Sequence, residues 1–256
     1  MHEIISNYNL AQNKGIEIEN YKSDLPLKKG LSSSASICVL TARAFNLLHG
    51  LEWTKKREMD IAYRGEIKTP SRCGKLDQAC AYPNPILIIF DGDDIEIKEL
   101  KFEKDILMLV VDLNKGKNTR KILAHLNKGF PFPTTPEEKD KHDFLGPINR
   151  YIVKRAAIAI EEGDSERLGN LMNEAQDKFD RYLAPHCPEE LTAPKLHEVL
   201  RLEEIQPLIY GGKCVGSGGD GSVQFVCKSA EDRIKLKSIL ESRGCDCLDL
   251  DLKRNI

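Results

Sequence analysis

Apolar residues recur along this chain in two rhythms, and those rhythms divide it into helices and strands. From Ala35 the residues Ile37, Leu40, Ala44 and Leu47 fall at helical spacing, which predicts a helix from Ala35 to about His49. A second helical pattern covers Thr54 to Ile67. Three short strand patterns follow, Pro85 to Phe90, Ile95 to Phe102 and Ile106 to Leu113, and Asp91-Gly92-Asp93 reads as a hairpin turn between the first two. Further on, helices are predicted over Leu145–Glu162, Asp164–Leu183 and Glu190–Glu204, with Asp164 as a cap directly after Gly163. Leu208–Cys214 and Ser222–Cys227 read as strands around a glycine-rich turn. Ser229–Ser242 reads as an amphipathic helix and Cys247–Leu252 as a last strand. Near the front, Gly15–Lys22 alternates weakly and predicts a strand leading into the turn before Pro26.

Strands and helices mixed in this way predict an α+β architecture with no internal repeat. The segment Lys128–Lys141 is proline-rich and charged, so it is the expected domain boundary or a mobile loop over a site. It divides the chain into residues 1–127 and 142–256.

Composition narrows the function classes. At 256 residues the chain can bury a core of one large or two joined domains, and its net charge of −2 gives no electrostatic case for nucleic acid or an acidic membrane surface. No apolar run approaches membrane-spanning length and the first residues carry no signal-peptide pattern, so a cytoplasmic protein is expected. The eight cysteines include no Cys-x-x-Cys pair, which favours free thiols over a disulfide frame or a zinc site.

Candidate chemistry begins at Leu25–Ser36, Leu-Pro-Leu-Lys-Lys-Gly-Leu-Ser-Ser-Ser-Ala-Ser, a glycine-serine loop that opens into a helix. Exposed first-turn amides and the positive end of a helix dipole suit an anion such as phosphate. Gly30 allows a tight turn there, although the spacing is not that of a Walker A loop. An ordinary serine cap on a buried helix fits the same residues, and both readings stay open on this segment alone. Lys28 and Lys29 either add positive potential to the loop or are simply solvated.

Two more segments stand out. Arg64–Tyr82 contains Cys-Gly-Lys-Leu-Asp-Gln at Cys73–Gln78. Gly211–Val226 contains Gly-Ser-Gly-Gly-Asp-Gly at Gly216–Gly221. With the Pro26–Ala35 loop, and in this order, they resemble the GHMP kinase superfamily, which includes galactokinase, homoserine kinase, mevalonate kinase and phosphomevalonate kinase. The resemblance runs from about residue 20 onward and implies a two-part fold, ribosomal-S5-like then ferredoxin-like. A Pro-Gly-Arg…Gly-Glu-His…Asp segment usual in the family has no counterpart here, so the expectation is either a shortened form or a true start that lies upstream.

The resemblance also implies roles. Gly30, Leu31, Ser32, Ser33, Ser34 and Ala35 would bind the ATP phosphates. Asp77 would accept the proton of, or orient, the substrate hydroxyl, and Ser34 with Glu66 would hold Mg2+. Gly218, Gly219 and Asp220 would line the substrate, with Gly216 and Gly221 shaping the same loop. Arg72 and Lys75 are the nearest basic residues to Asp77 in sequence. The implied activity is ATP-dependent phosphorylation of a small-molecule alcohol, a sugar hydroxyl in the first place and mevalonate in the second. A non-catalytic nucleotide- or sugar-binding regulator, or an inactive shortened member of the fold, is the alternative from another class.

Overall fold

The computed structural model describes residues 1–8, 17–19, 21–22, 32–69, 74–82, 85–92 and 94–254. Gly30 and Leu31, Lys28 and Lys29, the rest of the Pro26–Leu31 loop, Arg72, Cys73 and Asp93 lie outside them. The described part of Gly15–Lys22 is not in a strand. The chain forms two compact units, Met1–Glu99 and Leu100–Ile256. The division therefore precedes Lys128–Lys141, where the sequence places it, because the Ile106 strand pairs with strands near the end of the chain.

The first unit contains α1 (His2–Asn7), α2 (Ser33–His49), α3 (Lys55–Ile67), a 3-10 turn at Asp77–Ala81, and the antiparallel pair β1 (Ile86–Asp91) and β2 (Asp94–Glu99). Thr54 starts α3 by accepting the Arg57 amide on its hydroxyl at 3.3 Å, and Gly50 ends α2 in the left-handed conformation at φ 58°. The face of α2 that is buried is not the stripe that its periodicity singled out. Ala35, Val39, Ala42 and Phe45 are buried with Met59, Ile61, Ala62 and Tyr82, while Ile37, Leu40, Leu47 and Leu48 are more than half exposed. At ~100° per residue these sets lie on opposite sides of the helix. The helix is apolar on both, and the small residues of the inner face let α3 approach.

A polar knot sits inside this unit. The buried Glu58 carboxylate accepts Asn46 Nδ2 at 2.8 Å, the Tyr82 hydroxyl at 3.1 Å and Arg43 Nε at 3.4 Å. Burial, and then the neighbouring carboxylate, push the Tyr82 hydroxyl well above its ordinary pKa.

The second unit runs through β3 (Ile106–Asp112), α4 (Thr119–Leu126), α5 (Pro136–Asp143), a π turn (Phe144–Ile148), α6 (Asn149–Glu162), α7 (Ser165–Tyr182), α8 (Pro188–Leu191), α9 (Pro194–Leu200), β4 (Ile209–Cys214), β5 (Ser222–Cys227), α10 (Ala230–Ser242) and β6 (Asp246–Leu252). The sheet order is β4-β5-β3-β6 with every neighbour antiparallel. This β-α-β-β-α-β path is the ferredoxin-like arrangement. β3 reads Ile-Leu-Met-Leu-Val-Val because it is central and flanked on both edges. Asp164 accepts the Arg167 amide at 2.9 Å, as its position after Gly163 predicts. The helix expected over Glu190–Glu204 is instead broken into α8 and α9, since Ala193 adopts φ 41° ahead of Pro194. α7 lies directly on β4: a Cβ at Gly211 would stand 2.1 Å from the Gly169 carbonyl oxygen, so neither glycine leaves room for a side chain.

Candidate active site

Four of the sequence-predicted residues of the first unit meet through their side chains in two pairs. Ser32 stands immediately before α2 with φ 53° and ψ 33°, a left-handed conformation that a residue with a Cβ rarely adopts. Its hydroxyl makes no cap bond to the first turn of α2. It donates instead to Asp77 Oδ1 at 2.6 Å across 45 positions of sequence. The other Asp77 oxygen accepts the Gly74 amide at 2.9 Å. Asp77 opens the 3-10 turn, and each of its carboxylate oxygens accepts a hydrogen bond. The ordinary-cap reading of the serines is thus not what the geometry shows. Backbone strain of this kind costs about 1–3 kcal/mol and persists where the surroundings impose it.

Two residues along, Ser34 Oγ donates to Glu66 Oε1 at 2.6 Å. Glu66 is buried near the end of α3, and its second oxygen accepts Gln78 Nε2 at 3.1 Å. Gln78 is itself wholly buried. The consecutive residues Asp77 and Gln78 therefore take part in two different contacts: Asp77 holds Ser32, and Gln78 supports the Glu66 that holds Ser34. Ser33 and Ala35 belong to the same first turn of α2, Ala35 facing the core and Ser36 returning its hydroxyl to the Ser32 carbonyl at 3.2 Å. Cys38, one turn further, has its thiol pKa raised by burial and then by the charge of Glu66. A hydroxyl and a carboxylate are hard oxygen donors, and they suit magnesium better than a soft metal. Lys75, the described basic neighbour in sequence, lies over the Tyr63 ring at 5.9 Å.

In the second unit the glycine loop joins β4 to β5. Gly216, Gly218 and Gly219 have φ of 61°, 80° and 78°, so the loop needs glycine at each. A Cβ at Gly218 would sit 2.4 Å from Phe179 Cζ. Asp220, expected to meet substrate, accepts the Leu196 amide on Oδ1 at 2.9 Å, and Lys115 approaches its other oxygen at 4.0 Å. Its carboxylate thus anchors the loop to α9.

Two contributors were not found from sequence. Gln78 carried no assigned role, and its contact with Glu66 spans 12 positions without a helical phase. Lys117 reaches under the loop, donating to the carbonyls of Gly218 at 2.8 Å and Val215 at 3.3 Å, while burial lowers its pKa. Nothing in Asn114-Lys115-Gly116-Lys117 distinguishes it from a solvated lysine.

With this geometry in hand, comparison with known proteins gives a consistent answer. Residues 2–84 match the family model described as the GHMP kinases N terminal domain. The mevalonate kinase of Aeropyrum pernix is 27% identical over 237 residues, covering 86% of this chain and 64% of that protein. The galactokinase of Pyrococcus furiosus is 27% identical over 223 residues, covering 78% of this chain and 61% of the relative. The chain thus spans less than two thirds of the length of both. Among solved structures, mevalonate kinase from L. major superposes with a TM-score of 0.66 at 20% identity, over 88% of this chain and 66% of that one. At that identity the match speaks for the fold.

Proposed function

Because residues 2–84 are a GHMP kinase N-terminal domain on a chain with the GHMP kinase fold, we propose that the protein is an ATP-dependent kinase that phosphorylates a small-molecule alcohol. The observation that carries this reading is the double pairing of Ser32 with Asp77 and Ser34 with Glu66 at the start of one helix. A binding module needs an anion site at that helix. It has no use for a carboxylate held beside it at both oxygens.

Phosphoryl transfer relies on positioning and charge rather than on covalent help from the protein. In the proposed reaction the acceptor oxygen forms a bond to the γ-phosphorus, the bond to the β-phosphate oxygen breaks, and ADP leaves. Asp77 orients the attacking hydroxyl and takes its proton. The Ser32 hydroxyl and the Gly74 amide set the direction of the carboxylate. Ser34 and Glu66 would hold Mg2+, with Gln78 fixing the Glu66 plane. When bound, that ion supplies positive charge to the phosphate oxygens. Gly30, Leu31, Ser32, Ser33, Ser34 and Ala35 form the proposed phosphate loop, and Gly218, Gly219 and Asp220 the proposed substrate loop.

The acceptor is read first as a sugar hydroxyl, on the galactokinase-like Cys-Gly-x-x-Asp-Gln segment. Mevalonate is the second reading, favoured by the broad match to the A. pernix enzyme. The test is ADP release from magnesium-ATP across monosaccharides and mevalonate, with Asp77→Asn alongside. Acceptor-dependent turnover that disappears in Asp77→Asn, with ATP binding retained, is the expected result. Silence with every acceptor, together with intact ligand binding, would move the reading to a non-catalytic regulator.

A further inference from the structure

The segment Lys128–Lys141 builds something other than a strap between domains. Its turn at Gly129–Phe130, the end of α4 and the start of the π turn enclose a cavity of about 220 Å³. Leu126, Phe130 and Leu145 give it apolar walls, and Lys141 enters it from α5. Lys141 is 3% exposed, an extreme position for a lysine. Its ammonium donates to the carbonyls of His125, at 3.2 Å, and Lys128. An ammonium has three donors, so one remains. Among the described residues no carboxylate lies within ion-pair distance of it. Glu138, on the same helix and also lining the cavity, is held by the Thr134 amide at 2.8 Å and the Thr134 hydroxyl at 2.9 Å. The buried charge therefore lacks a contacting counter-charge, a costly arrangement in an apolar setting.

The backbone adds an independent sign. Phe144–Ile148 is a π turn with Pro147 inside it, and such turns are frequent at functional sites. Here the widened turn sets Leu145 and Gly146 along the cavity wall. Phe130 and Leu145 remain 68% and 47% exposed at the same place, so an apolar entrant meets apolar surface from outside inward. The histidines nearby are otherwise engaged. His142 stacks on Phe130 at 5.9 Å, and His125 Nδ1 is spent on the His186 carbonyl at 2.7 Å.

We propose that this cavity binds a compact apolar monocarboxylate, its body against Leu126, Phe130 and Leu145 and its carboxylate on the free donor of Lys141. At ~30 Å³ per water-sized group the space holds about seven such groups, which fits a branched-chain or single-ring acid. The site is complete within the second unit and stands independently of the kinase reading.

Benzoate is the probe, titrated into the whole protein carrying 13C-methyl leucine, with benzamide as the uncharged control. Saturable shifts confined to Leu126 and Leu145 are expected for benzoate, and about tenfold weaker binding for benzamide, as the loss of a charge-assisted hydrogen bond requires. Lys141→Met is expected to weaken benzoate by about tenfold or more by the same reasoning. In case that variant does not fold, Gly146→Leu is the second test. Gly146 lines the cavity and a Cβ there meets nothing within 4 Å, so the leucine has room at the cavity wall, and binding is expected to weaken. No saturable shift in the wild type overturns the proposal. So does benzoate binding that Gly146→Leu leaves unchanged, and so does benzamide binding equal to benzoate.

Discussion

Replacing Gly218 by alanine tests how tightly the glycine loop is built. Gly218 has φ 80°, so any L side chain there adopts the left-handed region at about 1–2 kcal/mol. The added Cβ would also stand 2.4 Å from Phe179 Cζ and 2.8 Å from Cε1, with Leu191 Cδ2 at 3.3 Å. Phe179 cannot swing clear, because it is buried and its ring meets Phe144 edge-on at 6.4 Å. Forcing a methyl into such a contact costs about 1–3 kcal/mol more. The expected loss is therefore about 2–5 kcal/mol from the two terms. Gly216 supplies the control: its φ is 61°, but a Cβ there meets nothing within 4 Å, so only the backbone term of about 1–2 kcal/mol applies. Urea unfolding of both variants, compared through midpoint and slope, measures the difference. Adding Phe179→Leu to Gly218→Ala should recover part of the loss, and a double-mutant cycle would isolate the contact. If Gly216→Ala and Gly218→Ala are equally destabilised, the steric argument fails.

Ser32→Ala removes one of the two bonds that aim Asp77, so under the kinase reading kcat should fall by about tenfold or more while ATP binding changes little. An unchanged kcat would remove Ser32 from that role. Glu58→Ala strips the shared acceptor from Arg43, Asn46 and Tyr82 and should destabilise the first unit by about 3–5 kcal/mol, measured by thermal or urea unfolding. Burial first, and then the Lys141 charge, hold the His186 pKa below its usual 6.5. Between that lowered value and 6.5 the unfolded chain carries more protons, so stability rises with pH through this window and is lost on acidification. His186→Gln should flatten that part of the stability–pH curve. A curve of the same slope would assign the effect to other groups.

The second unit was largely legible in the sequence. Its strands and the Asp164 cap followed from period and turn chemistry, which act locally, while the ferredoxin-like order was implied only by the family resemblance. The failures share a cause, which is that burial is decided by what arrives from elsewhere in the chain. Periodicity located α2 but not its inner face, since Ile37, Leu40 and Leu47 repeat as regularly as Ala35, Val39 and Ala42. The break at Ala193 was hidden because Pro194 suits the first turn of a new helix as well as the end of an old one. At the candidate site, Ser32, Ser34, Glu66 and Asp77 stood out by resemblance, but their pairing spans 32 and 45 positions and no spacing rule reaches that far. Lys117 and Lys141 look like surface lysines until the backbone folds carbonyls around their ammoniums.

The place of β3 in its sheet bears on how the protein is made. Asp112 pairs with Ser222 and Val110 with Leu248, so the central strand meets both its neighbours only after more than a hundred further residues have been synthesised. At ~5–20 residues per second that is roughly 5–20 s for the first partner alone. Throughout that interval Ile-Leu-Met-Leu-Val-Val is an apolar, uncharged strand with two open edges, the kind of segment that aggregates or engages a chaperone. Yield on the ribosome, rather than the stability of the finished fold, is then the property most sensitive to a charge or a slow codon placed between α4 and β5.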